Sequence, residues 1–546
     1  MRHGQIMDWP LTTSSILSRA AEVFPDSVVT SLLVDGERHS YGYVQALDRA
    51  KRLAGALQRD LGIEPGDRVA TLAWNTHRHF ESYYAISGIG AICHTLNPRY
   101  ARDHLQYILE HAADVAILTD TSFVPILNSL APLGRHLKHV IIMTDAERMP
   151  EDAPDGAISY ESLLDSPADD FAWPALDERA ASGLCYTSGT TGDPKGALYS
   201  HRSVVLHALC AIASAAAHFM ERETILAVVP LFHVNAWGLP FAAPITGTSL
   251  VLPGPHLDGR SLFDLMEAES VTSAWGVPTI WLGLLAEMRE RGAKPRALQR
   301  MVVGGAAPPR ALIKAFETDF EVEVNHGWGM TEMSPIGSFA ALPPSKEGAS
   351  ADERLDFKTK QGRRIYGVDM RIVTEAGDSL PHDGRASGEL QVRGAAIISE
   401  YYNNAEATRQ AFTQDGWLKT GDLASIDSTG CMQIVDRAKD MIKSGGEWIS
   451  SIAVENAAMD HPAVAECCVI GVPHPQWQER PLLLAVVREG QEFSGDALRS
   501  FLADRLAKIA IPDEVIVVKD LPRTATGKIS KRRLREVYRD RFLPQP

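Results

Sequence analysis

Cysteine is scarce: six occur in 546 residues, at positions 93, 185, 210, 431, 467 and 468. They form no pair of C-x-x-C motifs and no ladder of spacings, which excludes a disulfide framework or a thiolate zinc site and suits a reducing, cytoplasmic compartment. Cys467 and Cys468 lie in AECCVIGV, which alternates like a strand, so both are expected as buried filler. Long hydrophobic runs are also wanting. The N-terminal MRHGQIMDWPLTTSSILSRA has no continuous apolar region and does not read as a signal peptide. The most apolar stretch, VVLHALCAIASAAAHFM at 204–220, is interrupted by His207, Ser214 and His218 and is expected as a core helix, not a bilayer span. Positive charge is in deficit, with 54 Lys and Arg against 69 Asp and Glu, and the net charge of −15 argues against nucleic acid as a main partner.

What remains is ordinary globular material, 45% hydrophobic and 23% charged, in a chain too long for one core, so two or three domains are expected. From about residue 40 to 430, helical patterns alternate with short apolar runs such as RVATLAW, VAILTD, HVIIMT, TILAVVP, SLVLP and MVVGG, which suit buried strands of an α/β fold. The polar stretch PPSKEGASADERLD at 343–356 is the nearest thing to a free linker. Around GDLASIDSTGCMQIVDRAKDMIKSGGEWIS the texture changes to a tight crossing rich in glycine and charge. We place a boundary there, giving domains 1–436 and 437–546. Beyond it, SIAVENAAMDH and DALRSFLADRL read as helices and AECCVIGV and PLLLAVV as strands, a small α+β module.

The segment CYTSGTTGDPKGALYSH, 185–201, gathers hydroxyls at Thr187, Ser188, Thr190 and Thr191, glycines at 189, 192 and 196, and Lys195. Hydroxyls, close-approaching amides and a cation make a polyanion cradle. It is not the G-x-x-x-x-G-K-[ST] loop: counted from Gly189, Pro194 stands where that loop has glycine, and Gly196 where it has Ser or Thr.

Four further segments follow in order, MVVGGAAPP (301–309), HGWGMTE (326–332), TGD (420–422) and DRAKDMIKSGGEWI (436–449), and near the end PRTATGKISK. Together with the opening loop they resemble the adenylate-forming superfamily of acyl-CoA synthetases, adenylation domains and firefly-type luciferases over nearly the whole chain. PLFHVNAWGLP (230–240) is similar to the acyl-pocket signature of the bacterial fatty-acyl-CoA synthetases. The resemblance implies that a carboxylic acid reacts with ATP to give acyl-adenylate and pyrophosphate, and that coenzyme A then displaces AMP. An anion must attack a tetra-anionic triphosphate, so a divalent metal, cations and fixed amides are called for.

By that resemblance Thr187, Ser188, Gly189, Thr190, Thr191, Gly192 and Lys195 hold the β- and γ-phosphates, and Mg2+ sits by Thr187 and Glu332. Gly304, Gly305, Ala306 and Ala307 line adenine and the acyl carboxylate. Gly327, Trp328, Gly329, Met330 and Thr331 match G-Y-G-x-T-E, with Trp328 in place of the commoner Tyr as the adenine platform. Asp422 holds the ribose, Arg437 a second ribose or phosphate contact, and Lys439 the hinge at which a mobile small domain turns. Lys443 and Trp448 approach the nucleotide in one orientation; Ser444, Gly445, Gly446 and Glu447 meet coenzyme A in the other. Lys528 is the catalytic cation of adenylation. His233, Val234 and Trp237 form the acyl pocket with Gly305 and Trp328, His233 also counting as catalytic; His233 and Trp237 share a face if their segment is helical. The apolar surroundings favour a hydrophobic acid, with a shorter one such as a methylthiopropionate-type or aryl acid as alternative. A homodimer is implied by the same likeness.

Overall fold

The structure, a computed structural model, describes residues 4–130, 134–165, 171–187, 193–214, 216–524 and 528–543. Three sheets organise the chain. The first has seven strands, running across the sheet as Ile158–Ser159, His139–Ile142, Ala116–Thr119, Arg68–Leu72, Ile92–Thr95, Ala181–Thr187 and Lys195–Ser200. All its pairs are parallel except the last. The second is a path of thirteen strands. Its parallel part includes Ser249–Leu252, Thr224–Ala227, Ser273–Gly276, Arg300–Val303 and Glu323–Gly329. These are the apolar runs read from the sequence, and they are buried on both faces as parallel strands require. The helix His77–Gly88 packs on strands of both large sheets, and of its residues only Arg78 escapes full burial.

Three expectations need correction. The α/β alternation does not persist to residue 430: from Glu323–Gly329 the second sheet continues through Ile336–Phe339, Gly362–Arg364, Cys431–Arg437, Leu418–Ile426, Ser387–Gly394 and Val368–Val373, all antiparallel. Ile426 and Cys431 are too close in sequence for the helical crossover that parallel pairing demands. The stretch 343–356 is no linker. Ser350 Oγ accepts from Glu353 N while Glu353 Oε2 accepts from Ser350 N, a capping box that opens the helix Ala351–Thr359. The helix expected over 204–220 runs only from His201 to Ile212, and His218 has a left-handed φ of 48° where the chain bends toward the next strand.

The small domain forms the third sheet, with Val464–His474 and Gln478–Val487 as its long antiparallel pair. Ser451–Met459 and Gly495–Ala503 cover one face and Lys531–Tyr538 the other. Period-two alternation puts Cys467 in the core on one side and Cys468 in the core on the other, both buried and free. No helix among the described residues is long and apolar enough to cross a membrane.

Candidate active site

The carboxyl ends of parallel strands from both large sheets meet in one cleft, where open α/β sheets place their ligands. Ala181–Thr187 ends with Thr187 directly across from Lys195 in the antiparallel hairpin, so hydroxyl and ammonium stem stand together at the base of the connecting loop. Ser188, Gly189, Thr190, Thr191 and Gly192 lie outside the described residues, as do Thr526 and Gly527 ahead of Lys528. From the second sheet, Arg300–Val303 leads into Gly304, Gly305 and Ala306, and Glu323–Gly329 carries Gly327, Trp328 and Gly329. A Cβ on Gly329 would lie 2.0 Å from Pro335 O, so only glycine allows the chain to cross there before Met330, Thr331 and Glu332 turn into the cleft. Tyr199 Oη donates to Thr331 O at 2.7 Å and ties the Lys195 strand to that turn.

Trp328 is 8% exposed, and its Nε1 donates to Asp422 Oδ2 at 3.2 Å. A tyrosine has no N–H at that place, so the exchange adds a tether on the carboxylate assigned to ribose. Asp422 stands across from Arg437 in the sheet, and Arg437 Nε lies 2.7 Å from its Oδ1. Burial raises the Asp422 pKa above the usual carboxylate range, against the pull of Arg437.

Lys528 is brought to this group by a hairpin of the small domain. Thr524 N donates to Lys528 O at 2.7 Å, Arg523 bridges Ile529, and Ser530 caps the helix that follows. Lys528 is an exposed residue, yet protein atoms crowd around its ammonium. Its pKa is pushed down to about 8, by loss of water first and then by Arg437, against Asp422 and Glu332. The ammonium form is the one that neutralises phosphate charge. Protonation is complete well below that pKa and lost above it, so kcat/KM for adenylation is expected to fall as pH rises through about 8. A pH profile flat from 7 to 9.5 would contradict this assignment, as would one that rises.

Glu332 is buried at 6% exposure, and its Oε1 accepts from Tyr401 Oη at 2.6 Å. Among the described residues no Lys, Arg or His pairs with it, and a buried carboxylate without a cation is costly. A hard divalent ion beside phosphates answers that cost, so the site fits Mg2+. No group of three or more His, Cys, Asp or Glu suited to a metal occurs among the described residues, so the remaining ligands would be phosphate, water and the Thr187 hydroxyl.

The segment carrying His233 and Trp237 is not a right-handed helix, so the shared face inferred from spacing fails. Val234, Asn235, Ala236 and Trp237 have φ of 48°, 54°, 45° and 57°, a left-handed turn closed by Gly238. Each such residue costs about 1–2 kcal/mol, and buried hydrogen bonds hold the turn in place. Tyr83 Oη donates to Leu231 O at 2.6 Å and to Asn235 Oδ1 at 3.2 Å, and Asn75 binds the strand end that leads in. The turn throws the Trp237 indole over Gly304, where a Cβ would meet it at 2.7 Å, with the buried Trp275 ring 6.4 Å away. His233 is half-buried, its pKa pushed down to about 4 by burial and then by the charges of Lys528 and Arg99, so it faces the cleft as a neutral imidazole.

Of the other predicted residues, Lys439 stands close enough to Lys528 for its charge to help lower the Lys528 pKa, and the rest make no hydrogen bond or ion pair with this group among the described residues. Lys439 is exposed in a turn whose Asp440 N and Met441 N donate back to Arg437 O. Lys443 Nζ lies 5.3 Å from the Trp448 ring, which is 55% exposed. Ser444 is fully buried and its hydroxyl accepts from Arg480 Nη1 at 3.0 Å, so only its backbone is left to meet a ligand. Gly445 and Gly446, with φ of 58° and 91°, form an exposed turn against Trp477, followed by the exposed Glu447. No hydrogen bond or ion pair among the described residues joins that turn to Trp328, Asp422 or Lys528. Sequence reasoning missed Tyr401, Asn75 and Arg99, which stand outside the motifs and reach the site only through the fold.

The family model described as AMP-binding enzyme matches residues 17–402, and that of the AMP-binding enzyme C-terminal domain matches 453–528. The chain is 44% identical to a medium-chain-fatty-acid–CoA ligase of Ectopseudomonas oleovorans over 540 residues, 99% of this chain and 98% of that one. It is also 44% identical to a 3-methylmercaptopropionyl-CoA ligase of Ruegeria lacuscaerulensis, covering 98% of this chain and 99% of that one. A long-chain-fatty-acid–CoA ligase of Thermus thermophilus, again 44% identical, is covered to 97% by 98% of this chain. Among solved structures, the anthranilate CoA ligase AuaEII in complex with anthranoyl-AMP superposes with a TM-score of 0.85 at 25% identity, covering 97% of this chain and 98% of that one. The chain belongs to the AMP-binding enzyme family, the adenylate-forming superfamily.

Proposed function

We propose that the protein is an AMP-forming acyl-CoA ligase for a hydrophobic carboxylic acid, of medium or long chain. One acid oxygen attacks the α-phosphorus of ATP, the bond to pyrophosphate breaks, and the acyl-adenylate formed then exchanges AMP for the thiol of coenzyme A. The observation that carries this reading is the convergence of Lys528 on Glu332, Asp422 and Arg437, with Glu332 linked through Tyr401 to Lys195. Thr187 and Lys195 receive the β- and γ-phosphates, Asp422 and Arg437 orient the ribose, and Lys528 bridges the acid and α-phosphate oxygens as the bond forms. Bound Mg2+ would supply Lewis-acid neutralisation of the triphosphate.

Among the described residues the Gly445–Gly446 turn packs against Trp477 and makes no hydrogen bond or ion pair with Lys528, which supports two orientations of a mobile domain 437–546 on domain 1–436, turning at Lys439 and using the cleft in succession. The six free thiols fit a cytoplasmic setting, and we carry the homodimer over from likeness alone. Magnesium-dependent exchange of labelled pyrophosphate into ATP, followed by CoA-dependent AMP release, across acids from propionate to palmitate tests the function. Silence with every acid removes it.

A second reading, a ligase for a short or unusual acid such as 3-methylthiopropionate or an aryl acid, is favoured by Trp237, which lies over Gly304 with Trp275 behind it and shortens the path. Trp237→Ala is expected to raise kcat/KM for acids longer than the wild-type optimum by about tenfold relative to the optimum itself, about the worth of one methylene in an apolar pocket. An unchanged ranking of acids would remove the indole from the acyl path.

A further inference from the structure

The segment 398–404 belongs to none of the motifs, yet it fastens the two halves of the nucleotide site to each other. Ile398 N donates to Glu332 O at 2.9 Å, and Tyr402 N donates to Gly196 O at 2.8 Å, next to Lys195. Between these anchors Tyr401 is 7% exposed, and its own N donates to Thr408 Oγ1 at 3.0 Å. Its hydroxyl donates to Glu332 Oε1 at 2.6 Å while Lys195 Nζ lies 5.2 Å from its ring centroid.

Glu332 and Lys195 are opposite charges on flexible stems at the edge of a poorly solvated cleft. Paired with each other, they would satisfy their own desolvation and leave neither the carboxylate for a metal nor the ammonium for phosphate. The tyrosine removes that choice. Its ring face takes up the cation, its hydroxyl occupies one carboxylate oxygen, and among the described residues nothing hydrogen-bonds the other.

We propose that Tyr401 is a positioning residue of adenylation: a spacer that keeps Lys195 and Glu332 from neutralising each other and holds Glu332 in the orientation that receives a divalent cation. The step rests on the reading of Glu332 as metal ligand and Lys195 as phosphate cation.

Tyr401→Phe keeps the ring and its packing and loses only the hydroxyl. Mn2+ affinity of the full-length protein in the presence of ATP, read by electron paramagnetic resonance, is expected to weaken about tenfold or more, as when the outer partner of a metal ligand is lost. The Mg2+ concentration for half-maximal pyrophosphate exchange should rise in step, with KM for the acid unchanged. Tyr401→Leu, checked for folding by thermal unfolding, should raise KM for ATP as well, because Lys195 then closes on Glu332. If Tyr401→Phe binds Mn2+ as the unsubstituted protein does while Glu332→Gln does not, the hydroxyl has no positioning role and the proposal falls. It falls equally if Glu332→Gln binds Mn2+ undiminished. Failure of the unsubstituted protein to exchange pyrophosphate strikes the proposed function instead, which keeps the two failures apart.

Discussion

Lys528→Ala lowers pyrophosphate exchange by about 10^2- to 10^3-fold, the usual loss when one fixed donor to developing charge is removed. Thioester formation from supplied acyl-adenylate and CoA should stay close to the unsubstituted rate, since the proposed role of the ammonium is in the first bond and that of the glycine turn in the second. The split between half-reactions separates a chemical role from a structural one. The substitution leaves the hairpin intact: Thr524 N binds the Lys528 backbone, Ser530 still caps its helix, and Lys531 remains 2.8 Å from Glu455. Equal loss in both steps would remove Lys528 from adenylation in particular, and no loss in either would remove it from the chemistry.

Asn75→Ala is expected to destabilise the large domain by about 3–5 kcal/mol, because three buried backbone groups lose their partner at once. Asn75 Nδ2 donates to Ala227 O and to Val229 O, each at 2.8 Å, and its Oδ1 accepts from Leu231 N at 2.7 Å. At 3% exposure no water replaces these bonds without rearrangement. The strand end they hold leads directly into the left-handed turn that aims Trp237. Loosening it should therefore raise KM for the acid more than KM for ATP. Urea unfolding followed by tryptophan fluorescence measures the first effect and steady-state kinetics the second; an unmoved midpoint would mean that the turn is held by other bonds.

Much of the site was readable because it depends on residue type at fixed spacing. The hydroxyl and glycine loop ending in Lys195, the carboxylates Glu332 and Asp422, and Lys528 are legible only because their segments occur together and in an order that resembles one family; each segment alone is a weak signal. The short apolar runs were also sound as strands, since burial on both faces leaves a continuous hydrophobic record. Spacing misled at 233–237, where four-residue periodicity suggests a right-handed turn and buried bonds from Asn75 and Tyr83 enforce the opposite hand. The antiparallel strands after 329 look like any other apolar runs, because strand direction is written in connection length rather than composition. The helix Ala351–Thr359 had a legible signal in Ser350 and Glu353, which the polarity of the stretch obscured. Tyr401 had none, since its partners stand 69 and 206 residues away and only the fold brings them together.

Asp436 is buried completely, and its Oδ2 accepts from Ser451 N at 2.6 Å and from Ser451 Oγ at 2.8 Å, at the positive end of the helix Ser451–Met459. Arg535 of the last helix reaches Asp440 at 2.7 Å across the same crossing. If the small domain turns at Lys439, the Asp436 latch belongs to one orientation and has to be surrendered for the other. Coenzyme A then meets only the molecules already turned, and its apparent affinity is its intrinsic affinity multiplied by their share. In the proposed reading, departure of pyrophosphate lifts negative charge from Thr187 and Lys195 and is the natural event to enlarge that share, which would tie the order in which product leaves and thiol arrives to one carboxylate at a domain border.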